Sequence, residues 1–315
     1  MMQRLTAYDR PFYGRADNLV LGPLNPSEIG DFLGLSGSGA IDAQLISGGL
    51  PGIVVGWPNG TTALDFLDGE CADPASRIFS VPEQALNSEF PNPDVARRVI
   101  EAIGDGDRTF ANIASAAGGR AGALPSGTLS PLLHRLVADK QVLAIEEPLA
   151  TQPGKPARYR VADSNLRLYL GVLRQAQTQA ARGRAVAARE LVRRRWSSWR
   201  GRAVEPVIRE ALTNAALDGD LPWEGVQVVG GWWNRQFNPE IDIVGADRGP
   251  IAERIGFAGS IKWLDAPFDQ RDLESLRAGA ARIPGFDAAT GGPRHRQPVG
   301  DVRPARARPP GVGAG

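Results

Sequence analysis

From Asp94 to Val161 the chain spells three short amphipathic helices followed by two alternating strands, and few folds accommodate that order. Asp94 precedes a run in which Val95, Val99, Ile100 and Ile103 recur on one helical face, closed by Gly104 and Gly106. Thr109 is placed to cap a second helix with Phe110, Ile113, Ala114 and Ala117 inward, ended by Gly118 and Gly119. A third helix follows Pro125-Ser126, its Leu129, Leu132, Leu133, Leu136 and Val137 spaced along one stripe. Residues 142–145 and 158–161 then alternate like strands across a polar loop containing Pro153-Gly154-Lys155-Pro156. Three helices and a hairpin make a winged helix-turn-helix, expected over residues 91–163. A DNA-reading helix presents several basic or amide side chains to the groove, whereas this third helix offers only His134, Arg135 and Lys140. DNA reading and docking of a protein partner through the winged helix both stay open.

The flanking regions differ in composition, and the expected fold class is mixed α and α/β. Residues 1–90 are rich in Gly, Pro and Asp, and their best helix is Pro26–Leu33 with Ser27 as the capping candidate. No periodicity there lasts long enough to define a complete domain, so this stretch reads as part of something larger, with apolar surface left exposed. Residues 164–284 read as α/β: a mostly helical run from Leu166 to Arg202 interrupted at Gly183, and a helix from Val204 to Leu217. Strands follow near 226–233, 240–245 and 256–263, then a helix from about Arg271. Residues 285–315 are Gly, Pro and Arg with almost no large apolar side chains and are expected to be disordered.

Several chemistries are excluded early. Cys71 is the single cysteine and His134 and His295 are the two histidines, which leaves no disulfide framework and no cysteine- or histidine-based metal cluster. No apolar run approaches the ~18–20 residues that span a bilayer, and no leader opens the chain, so a cytoplasmic location without membrane partners is expected.

The net charge of +1 conceals an asymmetry: residues 174–202 carry nine arginines against one glutamate, while residues 1–93 hold eleven acidic and four basic side chains. Arg189, Arg193, Arg194, Arg195 and Arg200, with Arg202, flank Trp196 and Trp199, a pattern suited to nucleic-acid phosphates with aromatic support. The same pattern fits a solvated helix whose tryptophans pack inward. Trp232-Trp233 reads as structural.

For nucleotide chemistry, the Gly-Lys pair at Gly154-Lys155 is followed by Pro156, and Gly34–Gly39 lacks the lysine and the preceding strand, so no P-loop is present and ATP use is not expected of this chain. Residues 238–263 are more suggestive. Strict alternation places Glu240 and Asp242 on one strand face, with Ile241 and Ile243 on the other, and puts Ser260 and Lys262 on a shared face of the next strand. A hairpin then brings Asp242 beside Lys262. Restriction-endonuclease-like sites use this geometry, with two carboxylates holding Mg2+ and the lysine steadying the attacked phosphate. Glu205, on the upstream helix, is placed to add a carboxylate beside Asp242, and Glu240 to substitute for a missing one. Ser260 stands where the second carboxylate belongs, and a neutral hydroxyl is a weak Mg2+ ligand. A plain cross-strand ion pair between Asp242 and Lys262 explains the spacing equally well.

In order along the chain, these pieces resemble the archaeal-type P-loop ATPase family that carries a C-terminal restriction-endonuclease-like domain of unknown function. The resemblance rests on Met1-Met2-Gln3 with Arg10-Pro11-Phe12-Tyr13-Gly14-Arg15, Pro23-Leu24, the lid-like Gly48-Gly49-Leu50-Pro51, and Arg158–Asp163 with Leu166-Arg167. Gly231-Trp232-Trp233 and Glu240–Val244 complete it. It implies a partial ATPase lid region over 1–90, a winged helix over 91–163 and a nuclease-like domain over 164–284. The phosphate-binding elements would precede Met1, so ATP belongs to a longer gene product. The resemblance implies an impaired nuclease associated with nucleic acid; a non-catalytic interaction module and an active Mg2+-dependent nuclease are the alternatives.

Overall fold

The computed structural model describes residues 21–90, 94–106, 108–154, 156–263 and 267–286. The Met1–Arg15 motif, His295, Lys155 and nearly all of the expected disordered tail lie outside the described residues. The fold is mixed α and β: an N-terminal helical region, then helices interleaved with two small antiparallel sheets.

Five helices occupy the described residues up to 90: α1 (Pro26–Leu33), α2 (Ser38–Ser47), the single turn α3 (Pro51–Val54), α4 (Ala63–Glu70) and α5 (Arg77–Glu89). α1 falls where expected, but its cap is Asn25 rather than Ser27. With Pro26 at the first helical position, Asn25 Oδ1 accepts from the Glu28 amide at 3.0 Å and Glu28 Oε2 accepts from the Asn25 amide at 2.8 Å. The Gly48-Gly49 pair has a steric cause: both residues are left-handed, and a Cβ on Gly49 would lie 2.4 Å from the Leu24 carbonyl oxygen.

Three helices and a hairpin follow in the expected order: α6 (Val95–Asp105), α7 (Phe110–Gly118), α8 (Ser126–Ala138), β1 (Leu143–Glu146) and β2 (Arg158–Val161). Asp94 and Thr109 cap the first two through the Arg97 and Asn112 amides. Leu129, Leu132, Leu133 and Leu136 form the buried stripe of α8, and β1 pairs antiparallel with β2, Leu143 opposite Val161.

α9 (Ser164–Leu168) runs through a wide π-helical turn, Tyr169–Leu173, into α10 (Arg174–Ala180). The chain breaks at left-handed Gly183 before the long α11 (Ala185–Ala203) and α12 (Glu205–Leu217). A three-stranded antiparallel sheet completes the fold: β3 (Val228–Trp233), β4 (Glu240–Ala246) and β5 (Ile255–Gly259), in that order, followed by α13 (Gln270–Ala280).

One buried apolar cluster runs continuously from Ile29 on α1 to Trp196 on α11. The N-terminal helices bury Ile29, Leu33, Ile46, Phe66, Phe79 and Leu86 in it, while Leu21, Phe32 and Val55 stay exposed. The sheet is covered on both faces. One face carries Trp232, Ile241, Val244 and Ile255 against Ala280 and Ile283; the other carries Val229, Ile243 and Phe257 against Ile208 and Leu212 of α12. Trp232 and Trp233 are both buried, and the Trp233 indole donates to the Pro156 carbonyl at 2.8 Å. Among the described residues no helix is long and apolar enough to cross a membrane.

Candidate functional site

Asp242 stands at a bulge in β4, which the expected strict alternation missed. Trp232 pairs with Ile241 and Gly230 with Val244, so Asp242 and Ile243 together face the single residue Gly231. The extra residue turns the strand: Ile241 packs on one sheet face and Ile243 on the other, where alternation had put them together. Glu240 and Asp242 engage different partners. Glu240 makes a bidentate pair with Arg158, whose guanidinium lies 4.4 Å from the Trp233 ring and 4.6 Å from the Phe237 ring.

One oxygen of the Asp242 carboxylate is occupied. Its Oδ2 accepts from the Ser260 hydroxyl at 2.7 Å and from the Ile261 amide at 2.9 Å. β5 ends at Gly259, so Ser260 and Lys262 lie beyond the strand that was expected to carry them. Lys262 does not pair with Asp242. Its ammonium meets Asp272 Oδ1 on α13 at 2.7 Å, and that contact holds the Asp272 carboxyl below its ordinary range. Asp272 was absent from the expected set because only the docking of α13 against β4 brings it there.

Glu205, at the start of α12, is buried and pairs with Arg209 one turn later at 2.9 Å. Burial pushes its carboxyl above the ordinary glutamate value, with Arg209 opposing. Arg209 also donates from Nε to the Asp242 carbonyl at 2.7 Å, fixing the bulge from behind. Glu240, Asp242, Ser260, Lys262 and Asp272 line one small cavity of about 100 Å3. A magnesium nuclease needs carboxylate oxygens converging on one point. Here Asp242 is engaged by Ser260 and Ile261, Glu205 by Arg209 and Glu240 by Arg158. Among the described residues no three carboxylate, histidine or cysteine side chains are placed to hold a metal ion. The donor set does not fit Mg2+ as arranged.

The arginine segment divides in two. Arg193 makes a bidentate pair with Asp68 of α4, and Arg189 donates to the Asp68 carbonyl at 2.9 Å. Arg200 grips buried Asp42 of α2 through two bonds of 2.6 and 2.7 Å. These three hold the acidic N-terminal helices against α11. Arg194 and Arg195 turn elsewhere, into a cavity of about 350 Å3 between α6, β2, α9 and α11. Trp196 is buried, stacked on Trp199 with ring centroids 5.6 Å apart. Arg108, Arg160, Arg167 and Arg202 join that cavity. Of these, Arg202 alone belonged to the expected basic segment; the others are scattered singly along the chain.

No solved structure matches the chain. It is 22% identical over 283 residues to an uncharacterized protein of Methanocaldococcus jannaschii, an alignment covering 88% of this chain. The chain spans 60% of that relative's length. Residues 169–275, from the π-helical turn through Asp242 and Lys262 to α13, match a family described as archaeal and bacterial proteins of unknown function, DUF234.

Proposed function

We propose that this chain is a nucleic-acid-associated, catalytically silent module: a winged helix joined to a restriction-endonuclease-like domain, as found behind the ATPase portion of a longer protein. The observation that carries the silence is the Asp242 carboxylate, whose Oδ2 is taken by Ser260 and Ile261 where a nuclease would present both oxygens to a metal ion. The element order over residues 94–161 supports the winged helix. The length of the Methanocaldococcus relative supports a longer gene product, in which any ATP would be handled outside this chain.

The basic character of α11 supports association with nucleic acid, and the ion pairs set its extent. Were Arg189, Arg193, Arg194, Arg195 and Arg200 all to meet phosphates, log K would fall against log salt with a slope of roughly −4 to −5 on duplex DNA. Arg189, Arg193 and Arg200 are engaged by Asp68 and Asp42, which leaves Arg194 and Arg195 and a slope of about −2. A salt titration of DNA binding by fluorescence anisotropy measures it. A slope near −2 that flattens in the Arg194→Ala, Arg195→Ala double variant is expected; no binding at low salt sinks the association.

A further inference from the structure

The 350 Å3 cavity beside α11 is more than a patch of exposed charge. Six arginines line it: Arg108 ahead of α7, Arg160 on β2, Arg167 on α9, and Arg194, Arg195 and Arg202 on α11. Asp105 is the one carboxylate among the lining residues, and it is paired with Arg174 at 3.2 Å. Glu146 supports Arg108 and Arg160 from the hairpin side, at 3.0 Å in the case of Arg160. The remaining guanidiniums face the cavity with little to neutralise them. Arg167 donates to the Arg202 carbonyl at 3.2 Å and Arg195 to the Gly171 carbonyl at 3.2 Å, while Arg194 has no partner among the described residues. Burial first, then the like charges of Arg108 and Arg160, pull Arg167 down to about 10.

A second, independent observation points the same way. Arg108 Nε and Trp199 Nε1 are buried nitrogen donors without a hydrogen-bond acceptor, and both residues line this cavity. Buried donors are nearly always satisfied in folded proteins, so two orphans around one space ask for an acceptor. The space is at the small end of the ~300–1,000 Å3 typical of small-molecule sites. Its shape is concave, and Trp199 and Tyr159 add aromatic surface beside the guanidiniums. A single carboxylate would leave most of the charge unmatched. A phosphate monoester supplies two negative charges and three acceptor oxygens that suit guanidinium forks.

We propose that this cavity binds the phosphate group of a small phosphorylated ligand of nucleoside-monophosphate size, with Arg167, Arg194 and Arg202 on the phosphate and Trp199 alongside. The site shares no lining residue with the Asp242 cavity and goes beyond the silent-nuclease reading. Because Arg194 and Arg195 serve DNA association too, the test must separate the two.

The full chain is titrated calorimetrically with adenosine 5′-monophosphate, with adenosine, and with an unphosphorylated and a 5′-phosphorylated DNA strand, at constant ionic strength. Saturable binding of the monophosphate, at least about tenfold tighter than adenosine and weakened about tenfold by Arg194→Ala, is expected. Arg248→Ala, which removes an equal charge from an exposed loop pair with Glu253, leaves binding unchanged. Trp199→Phe, which keeps the packing, loses any fluorescence change that the ligand produces. The proposal is overturned if the monophosphate does not saturate, if Arg194→Ala and Arg248→Ala weaken it equally, or if only the 5′-phosphorylated strand binds. DNA binding that persists without monophosphate binding would remove this site and leave the association with nucleic acid standing.

Discussion

Asp42→Ala lowers the stability of the folded chain by about 3–5 kcal/mol, the usual cost of breaking a buried ion pair from one side. Asp42 is 7% exposed and accepts both forks of Arg200 at 2.6 and 2.7 Å, with the Trp263 indole adding a longer bond at 3.3 Å. Removing it strands the Arg200 guanidinium between α2 and α11, where Trp263 at 5.5 Å gives only partial relief. Changing Asp42 to Ala and Arg200 to Met together removes both charges, and recovers part of the loss because no unpaired ion remains. Urea denaturation of the three proteins measures this. A loss below about 1 kcal/mol for Asp42→Ala would mean that α2 is not clamped to α11 as described.

Glu146→Gln has an effect of the same order, about 3–5 kcal/mol at neutral pH. Glu146 on β1 is the carboxylate that neutralises Arg108 and Arg160. Its loss leaves those cations facing each other and Arg167 across the cavity wall. Burial alone would raise the Glu146 carboxyl, but Arg108 and then Arg160 hold it below its ordinary value of 4.5. The folded-state pKa therefore lies under the unfolded one. Its stabilisation is complete above about pH 4.5 and is lost as the pH falls through the folded value. The stability gap between the wild-type chain and Glu146→Gln should therefore close as the solution is acidified below 4.5. Glu205 shifts in the opposite direction mainly through burial, with Glu146 a lesser cause, so most of its effect is common to both proteins. A gap that stays constant with pH would mean that Glu146 acts through shape rather than charge.

The two predictions concern contacts that sequence patterning registers poorly. Residues 94–161 were legible because their signals are local: Asp94 and Thr109 are caps three residues from the amides they bind, and the Leu129–Leu136 stripe follows helical period. The break at Gly183 and the strand at Glu240–Ala246 were legible for the same reason. The first ninety residues were not. α2 buries Asp42 and Ser47 along with Ala43, Leu45 and Ile46, so it shows no one-sided stripe, and Asp42 becomes intelligible only with Arg200 opposite.

At the candidate site, Glu240, Asp242, Ser260 and Lys262 line one cavity and Glu205 does not, and Lys262 has a partner other than the expected Asp242. A single bulged residue in β4 put Ile241 and Ile243 on opposite faces, and α13, distant in sequence, supplied Asp272 to take Lys262. The cavity arginines escaped attention because Arg108, Arg160 and Arg167 each sit alone in the sequence. What hints at them is the alternation of Arg158 and Arg160 in β2, one strand residue apart.

The silence of the Asp242 site is tested most directly by incubating the chain and its Asp242→Ala variant with labelled DNA and Mg2+ and following cleavage. On the proposed reading both proteins leave the DNA as intact as buffer does, since Asp242 Oδ2 is held by Ser260 and Ile261. Mg2+-dependent cleavage by the wild-type chain that disappears in Asp242→Ala would contradict it.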